Sequence, residues 1–209
     1  MDPQSIIAGA GPWALAVVCA IVFAETGLLV GFVLPGDTLL LISGVLSAPG
    51  VAAFHAHVAW VAVLIAAAAF VGGEVGYLIG RRAGGAVFER RESGLFSRAD
   101  VERTDAFFRR FGGAAVVVAR FVPVVRTFAP VAAGVGHMPS RRYSLYNALG
   151  AVLWAGGLVL VGYALHLVPP VQRFVVDYID VILLGAVAVA VVPTAIQLLA
   201  LRRRRRTPG

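Results

Sequence analysis

The sequence is poor in the residues that soluble proteins use for surface charge and for cross-links. It contains no lysine, its only cysteine is Cys19, and 14% of its 209 residues are charged, against about a quarter in a typical soluble domain. A single cysteine excludes an internal disulfide and gives no indication of a thiolate metal site. The N-terminus lacks the basic segment that opens a secretory signal peptide, so we expect no cleaved leader.

What the chain has in abundance is apolar sequence. Hydrophobic residues make up 59% of it, and the mean hydropathy is +0.87. A helix needs about 20 apolar residues to cross the roughly 30 Å of hydrocarbon in a bilayer. Four stretches are long enough, at residues 12–33, 58–80, 145–168 and 179–201. The sequence therefore predicts an all-α membrane protein with about four transmembrane helices.

Two further apolar stretches, residues 34–46 and 114–136, are too short or too broken to cross. Pro123 and Pro130 interrupt the second stretch, and each removes a backbone donor and clashes with the preceding turn. Lipid tolerates such a break only where the backbone is buried in protein or lines a wet cavity. We therefore predict two re-entrant helical hairpins.

These segments are predicted to form a single membrane domain over residues 1–209. A helix with phenylalanines at helical spacing, between Ser97 and Gly113, is expected either to lie at the membrane surface or to pack on the rest of the protein. In chain order, the predicted parts are a first half at 12–80, a cytoplasmic amphipathic segment at 81–113, a second half at 114–168, a last span at 179–201 and an arginine-rich tail at 202–209.

The basic residues give an expected orientation. All 18 are arginines, and most cluster at residues 81–110, at Arg141 and Arg142, and at Arg202–Arg206. The positive-inside rule places these clusters in the cytoplasm, which predicts that both termini are cytoplasmic. The net charge of +7 then attracts anionic lipid. We expect no nucleic-acid binding, because no folded basic domain accompanies the tail.

Four ionisable side chains stand inside the predicted membrane segments: Glu25, Asp37, Arg120 and Arg126. Each costs about 2.5–3.5 kcal/mol to insert, so such groups are functional candidates by default. Two acids and two arginines sum to zero charge, which predicts that they meet in one wet cavity. An ion-pair network that only holds the hairpins together remains the alternative. Glu74 is a weaker candidate, because it lies near the cytoplasmic end of its span.

The two hairpin segments also resemble each other. FVLPGDTLL at residues 32–40 and FVPVVRTFA at residues 121–129 share Phe-Val at the start and Thr at the seventh place, with Asp37 opposite Arg126. In the predicted topology the two halves have opposite orientations. Inverted repeats of this kind are typical of transporters, whose sites lie near the midplane where broken helices face each other.

A family resemblance rests on the same residues. The segments FAETGLLVGFVLPGDTLLLISGVL, VGGEVGYLIGRRAG and RFGGAAVVVARFVPVVRTFAPVAAGVGHMPSRRYSLYNALGAVLWAGGLVLVGY, within about residues 20–165, resemble the DedA family, also described as the SNARE-associated or VTT domain. The resemblance implies two re-entrant loops in inverted repeat and the transport or scrambling of lipids. In bacteria it implies return of undecaprenyl phosphate across the inner membrane, with the proton-motive force as the drive.

The residues important in that family match Glu25, Asp37, Arg120 and Arg126, whereas Glu74 stands where aspartate is expected. Arginine suits a lipid phosphate because its planar fork of donors binds phosphate bidentately, and helix starts at the prolines would add free N–H groups. We therefore predict a substrate-binding set of Arg120, Arg126, Glu25, Asp37 and Asn147, in which Glu25 and Asp37 also carry protons.

The predicted partners are an anionic lipid of the polyprenyl phosphate class, protons and the bacterial inner membrane. The sequence is also compatible with a homodimer. Asn147 has two open interpretations, a hydrogen bond to a hairpin backbone or contact with substrate, and Trp154 has a simpler one, packing against Gly156 and Gly157.

A membrane enzyme is the first rival. His137 and His166 stand in different contexts, the pair His55 and His57 lacks a third metal ligand, and neither H-E-x-x-H nor G-x-S-x-G occurs. We therefore expect no catalytic residues, metal or cofactor. The second rival is a proton-coupled exporter of small cations or drugs, for which Glu25 and Asp37 alone would suffice. The arginines disfavour it, because they would repel such a substrate.

Overall fold

The computed structural model describes residues 3–27, 36–49, 54, 56–83, 111–168 and 170, and all regular structure within them is helical. The α-helices are α1 (Pro3–Gly27), α2 (Gly36–Leu46), α3 (Val58–Ala83), α4 (Ala115–Ala119), α5 (Pro123–Val135), α6 (Ser140–Ala151) and α7 (Gly157–Ala164). The all-α prediction is confirmed. The predicted amphipathic helix before residue 111, the last span and the arginine-rich tail lie outside the described residues.

Two helical stretches are long and apolar enough to cross a membrane, Val58–Arg82 and Ser140–Leu167. The second comprises α6, a five-residue π-helical stretch at Val152–Gly156, α7 and a short 3₁₀ turn. Only 44% and 33% of their most apolar windows are buried. Large apolar side chains such as Trp60, Leu145 and Leu160 stay exposed, which suits helices that face lipid rather than water. Two of the four predicted spans thus have helices of spanning length.

The first two helices differ from the predicted layout. Of the apolar stretch predicted to span residues 12–33, the described part belongs to α1, which ends at Gly27, and the next described helix, α2, begins at Gly36. A Cβ on Gly27 would lie 2.8 Å from the Gly72 carbonyl oxygen, so the end of α1 touches α3. Leu15 belongs to the same apolar cluster as the part of α3 from Val58 to Ala69. Because both sets precede the glycine contact, α1 and α3 run in the same direction.

Glycines allow the remaining helices to approach closely. Gly44 on α2 and Gly162 on α7 leave no room for a Cβ, which would collide with Val159 and Leu41 respectively. Gly134, at the end of α5, lies against Tyr77 of α3 in the same way. Small residues at crossings let helix backbones pack tightly where no hydrophobic effect drives association.

Two buried tyrosines fix the start of α6 against α3. The rings of Tyr77 and Tyr143 stack with their centroids 4.3 Å apart. The Tyr143 hydroxyl donates to the Gly73 carbonyl over 2.8 Å, and the Tyr77 hydroxyl donates to the Met138 carbonyl in the turn after α5. These contacts make α6 antiparallel to α3 and set Asn147, one turn after Tyr143, against the middle of α3.

Candidate functional site

Arg126 joins three helices. It lies in the first turns of α5, where Pro123 occupies the first helical position. Its Nη1 donates to Asp37 Oδ1 over 2.7 Å, and its Nη2 lies 2.8 Å from Glu25 Oε1. Asp37 stands in the first turn of α2 and Glu25 in the last turn of α1. The structure therefore brings together three of the four charged side chains that the sequence singled out.

The two acids differ in burial. The Glu25 side chain is 1% exposed, whereas that of Asp37 is 46% exposed. Within the described part of the chain, neither carboxylate oxygen of Glu25 has an aligned hydrogen bond, nor does Arg126 Nε, so the contact between Glu25 and Arg126 is an ion pair. Gly36 borders this carboxylate so closely that a Cβ would collide with Glu25 Oε2. The Glu25 carboxylate is thus buried, with acceptor positions that no described donor fills, whereas the Asp37 carboxylate is exposed to solvent.

Trp154 links the two arginines. Its Nε1 donates to the same Asp37 Oδ1 over 2.9 Å, and its ring centroid lies 5.4 Å from the Arg126 guanidinium carbon and 5.9 Å from that of Arg120. Cation–π attraction acts over such distances. Trp154 stands on the π-helical stretch, a local distortion that is frequent at functional sites.

The simpler interpretation of Trp154 from the sequence is wrong. A Cβ at Gly156 or Gly157 would meet nothing within 4 Å, so these glycines are not packed under the indole. The one signal that the sequence offered was the indole N–H, which needs a partner when buried.

Arg120 has different surroundings. It caps the C-terminal end of α4 and is 7% exposed. Its Nη2 donates to Asn147 Oδ1 over 2.6 Å and to the Ala69 carbonyl over 3.1 Å. Among the residues that the structure describes, no carboxylate lies within ion-pair distance of Arg120. It is therefore a buried cation held by neutral acceptors.

Asn147 and Glu74 complete this second group. Asn147 Nδ2 donates to the Phe70 carbonyl over 3.0 Å and to Glu74 Oε1 over 2.8 Å, and the Ser144 hydroxyl donates to Glu74 Oε2 over 3.0 Å. Both amide hydrogens of Asn147 are thus engaged, one of them by the backbone of α3 rather than of a hairpin. Glu74, a weaker candidate because it lies near the cytoplasmic end of its predicted span, is half-buried and faces α6.

Both arginines border one cavity, with about 340 Å³ of empty space including its opening. Its wall includes Arg120, Arg126, Tyr143, Asn147, Trp154 and Thr26. Glu25 and Asp37 are not among the lining residues. The wall carries polar groups and the cavity has room for water, and both arginine side chains border that space.

The histidines lie apart from this cavity. His57 is exposed and its ring Nδ1 accepts from the Ala59 N–H over 3.3 Å, while the rings of His137 and His166 lie against carbonyl oxygens three or fewer residues away. His55 lies outside the described residues. Within the part of the chain that the structure describes, no three His, Cys, Asp or Glu side chains are grouped as metal ligands.

Known proteins resemble the chain over most of its length. The model of the VTT domain matches residues 34–164. Protein DedA of Escherichia coli K12 is 38% identical over 95% of this chain and 88% of its own length. An uncharacterized membrane protein of Mycobacterium leprae is 38% identical over 94% and 86%, and inner membrane protein YghB of Escherichia coli K12 is 35% identical over 75% and 70%. No solved structure matches.

Proposed function

Because the chain belongs to the DedA family of VTT-domain membrane proteins, we propose that it moves an anionic lipid across the bacterial inner membrane, with undecaprenyl phosphate as the substrate. The relative named inner membrane protein YghB supports the location. The proposed step changes the leaflet of the lipid and no covalent bond, so it requires no enzymatic activity. Protons are the proposed coupling partner.

One observation carries this proposal: among the described residues, no carboxylate pairs with the buried Arg120 guanidinium. A buried charge without a partner is costly, because the low-dielectric surroundings do not replace its hydration. Arg120 shares a cavity with Arg126, so an anion placed there would offset that cost and reach both guanidinium groups. Arginine binds phosphate bidentately and stays charged when buried, which favours a phosphate group as the anion.

The surroundings of Arg120 favour a lipid over a soluble anion. Phe121, the next residue, is 56% exposed although it stands between the two arginines in sequence. An exposed aromatic ring beside a buried cation suits a ligand with a charged head in the cavity and an apolar chain in the bilayer. A soluble phosphate has no apolar part that would contact the Phe121 ring.

The helix directions suggest how the hairpins are built. We propose that α1 and α2 are the arms of the first hairpin, that α4 and α5 are the arms of the second, and that the Asp37–Arg126 contact joins their turns as an inverted repeat. Since α1 runs parallel to α3, the N-terminus would then lie on the side where α3 begins. That side is opposite to Arg81 and Arg82, which revises the expected cytoplasmic N-terminus and leaves the cytoplasmic C-terminal tail as proposed.

A labelling experiment tests the first hairpin. In a Cys19→Ser protein, a cysteine placed by Ser5→Cys should react with a membrane-impermeant maleimide in intact spheroplasts. Labelling only after permeabilisation would place the N-terminus in the cytoplasm and would overturn the direction proposed here for α1 and α3. Arg141→Cys is the matched control, since the proposal places it in the cytoplasm.

Proton coupling follows from competition for Arg126. At rest the carboxylates of Glu25 and Asp37 hold this side chain. A proton that enters from the acidic side and binds Glu25 would loosen one arm of the guanidinium fork for the lipid phosphate. Loss of that proton toward the cytoplasm would restore the ion pair and expel the lipid. The rival, a proton-coupled exporter of small cations, has less support because Arg126 already engages both acids.

Transport in liposomes tests the function. Purified protein is reconstituted with undecaprenyl phosphate, and the rate at which the inner-leaflet pool becomes accessible to an external phosphatase is followed. We expect acceleration by the wild type and by Arg141→Ala, a matched arginine outside the cavity, and none by Arg126→Ala. No acceleration by folded wild type, with and without a proton gradient, would overturn the proposal.

A further inference from the structure

Glu74 is a third membrane carboxylate without an assigned role, and Asn147 separates it from Arg120. The amide group of Asn147 bridges the two, because Nδ2 donates to Glu74 Oε1 and Oδ1 accepts from Arg120 Nη2. The closest contact of Arg120 is therefore an uncharged oxygen. The Glu74 carboxylate, which could neutralise Arg120, lies on the far side of the Asn147 amide group.

The orientation of this amide is fixed by its neighbours. On one side it faces two acceptors, the Phe70 carbonyl and the Glu74 carboxylate, and on the other it faces a cation. Turning the amide over would set its oxygen against both acceptors and its NH₂ group against the guanidinium. Only one orientation satisfies all the contacts, so Glu74 holds Asn147 with its oxygen toward Arg120.

We propose that Asn147 is a neutral spacer that keeps the Glu74 carboxylate from neutralising Arg120, and that this leaves Arg120 available to the phosphate group of the substrate. Asn147 is then a positioning residue rather than a ligand of the lipid. The inference rests on the proposed function for the identity of the substrate. Its physical content, an available cation at Arg120, holds for any phosphate group.

A charge swap between the two positions tests the spacer. The double variant Glu74→Gln with Asn147→Asp keeps one carboxylate and one amide, but it places the carboxylate directly on Arg120. The glutamine amide can still donate to the new carboxylate and accept from the Ser144 hydroxyl, whereas the Phe70 carbonyl loses the donor that Asn147 supplied, so the folding of the double variant is checked first. Phosphate binding to the purified protein in detergent is read from the rise of Tm with inorganic phosphate, at an ionic strength matched with sodium chloride.

We expect phosphate to raise the Tm of the wild type and to bind the double variant about tenfold or more weakly, because an internal carboxylate now occupies the charge-assisted contact. Ser144→Ala is the matched control. It removes another hydrogen bond of Glu74 without moving charge, so its response should equal that of the wild type.

The spacer proposal would be overturned if phosphate raised the Tm of the wild type and of the double variant equally. It would also be overturned if phosphate did not raise the Tm of the wild type. If the double variant does not fold, the single variant Glu74→Gln tests the proposal instead. Removing the Glu74 carboxylate should leave the Tm response to phosphate unchanged or larger. Loss of that response would contradict the proposal. A phosphate response that survives while lipid transport is absent in liposomes would overturn the proposed function alone.

Discussion

Two buried arginines lie against one indole ring, and their surroundings are opposite. Arg126 is held by the carboxylates of Glu25 and Asp37. Arg120 is held by the Asn147 amide oxygen and the Ala69 carbonyl. Both side chains border the same cavity. Among the described residues, the same residue type thus serves in one cavity as a paired cation and as a cation without an adjacent acid.

The difference separates stability from binding. The Arg126 guanidinium is part of what allows Glu25 to be buried, so its loss leaves that buried acid uncompensated. A guanidinium with neutral partners stabilises little by itself, because desolvation offsets its hydrogen bonds. We therefore expect the two arginines to be equally necessary for lipid transport and unequally necessary for folding.

The largest expected effect is that of Arg126→Met on stability. Methionine keeps much of the apolar volume but leaves Glu25 and Asp37 facing each other without a cation. Removing one partner of a buried pair costs about 3–5 kcal/mol, and here the buried acid Glu25 loses its partner while the exposed Asp37 is hydrated. Thermal unfolding in detergent measures this change. A Tm equal to that of the wild type would show that the acids are compensated elsewhere, which would remove the contrast between the arginines.

Glu25→Gln should have the next largest effect, and chiefly on coupling. Glutamine keeps the length of the side chain but takes up no proton, while Arg126 keeps its bond to Asp37. We expect lipid still to bind and transport no longer to respond to a proton gradient. Rates in liposomes with and without an imposed gradient measure this response. Asp37→Asn serves as the comparison, and a gradient response kept by Glu25→Gln would assign proton coupling to another group.

Part of this arrangement could be predicted from the sequence. Hydropathy over α3 and over α6 with α7 predicted two helices of spanning length, because the apolar windows there are continuous. The alignment that set Asp37 opposite Arg126 anticipated a pair that the structure joins by a hydrogen bond. The physical reason for expecting this pair was that the two acids and two arginines sum to zero charge, and unpaired ions are costly in a membrane.

The rest depends on information that hydropathy does not carry. An apolar window has no direction, so the sequence did not indicate that α1 runs parallel to α3. The π-helical stretch that sets Trp154 against both arginines depends on packing around Val152–Gly156 rather than on a pattern of residue types. Asn147 and Glu74 are far apart in the chain, and only the antiparallel contact of α3 and α6 makes them neighbours.

Trp154→Phe should have a smaller effect on stability. Phenylalanine keeps an aromatic face for both guanidinium groups but cannot donate to Asp37, so one hydrogen bond to a charged acceptor is lost. Such a bond contributes about 1.5–3 kcal/mol, and Asp37 is exposed enough for water to replace part of it. Thermal unfolding checks the change against Trp60→Phe, a tryptophan on the lipid-facing surface. Equal shifts in the two variants would show that the indole N–H does not hold Asp37.

The smallest expected effect on stability is that of Arg120→Met, and it accompanies a complete loss of transport. Two opposing free-energy contributions determine the size of this effect on stability. Removing a buried cation that has no adjacent acid among the described residues relieves its desolvation cost, which is several kcal/mol per ion. Against this, the Asn147 amide oxygen and the Ala69 carbonyl each lose a donor, at about 1–3 kcal/mol per unsatisfied group.

The two terms nearly cancel, so the Tm of Arg120→Met should lie close to that of the wild type and well above that of Arg126→Met. Both variants should be inactive in the liposome assay. If Arg120→Met unfolds as readily as Arg126→Met, the charge of Arg120 is compensated within the fold. The cavity would then hold two paired cations, and the argument for a phosphate at Arg120 would fail.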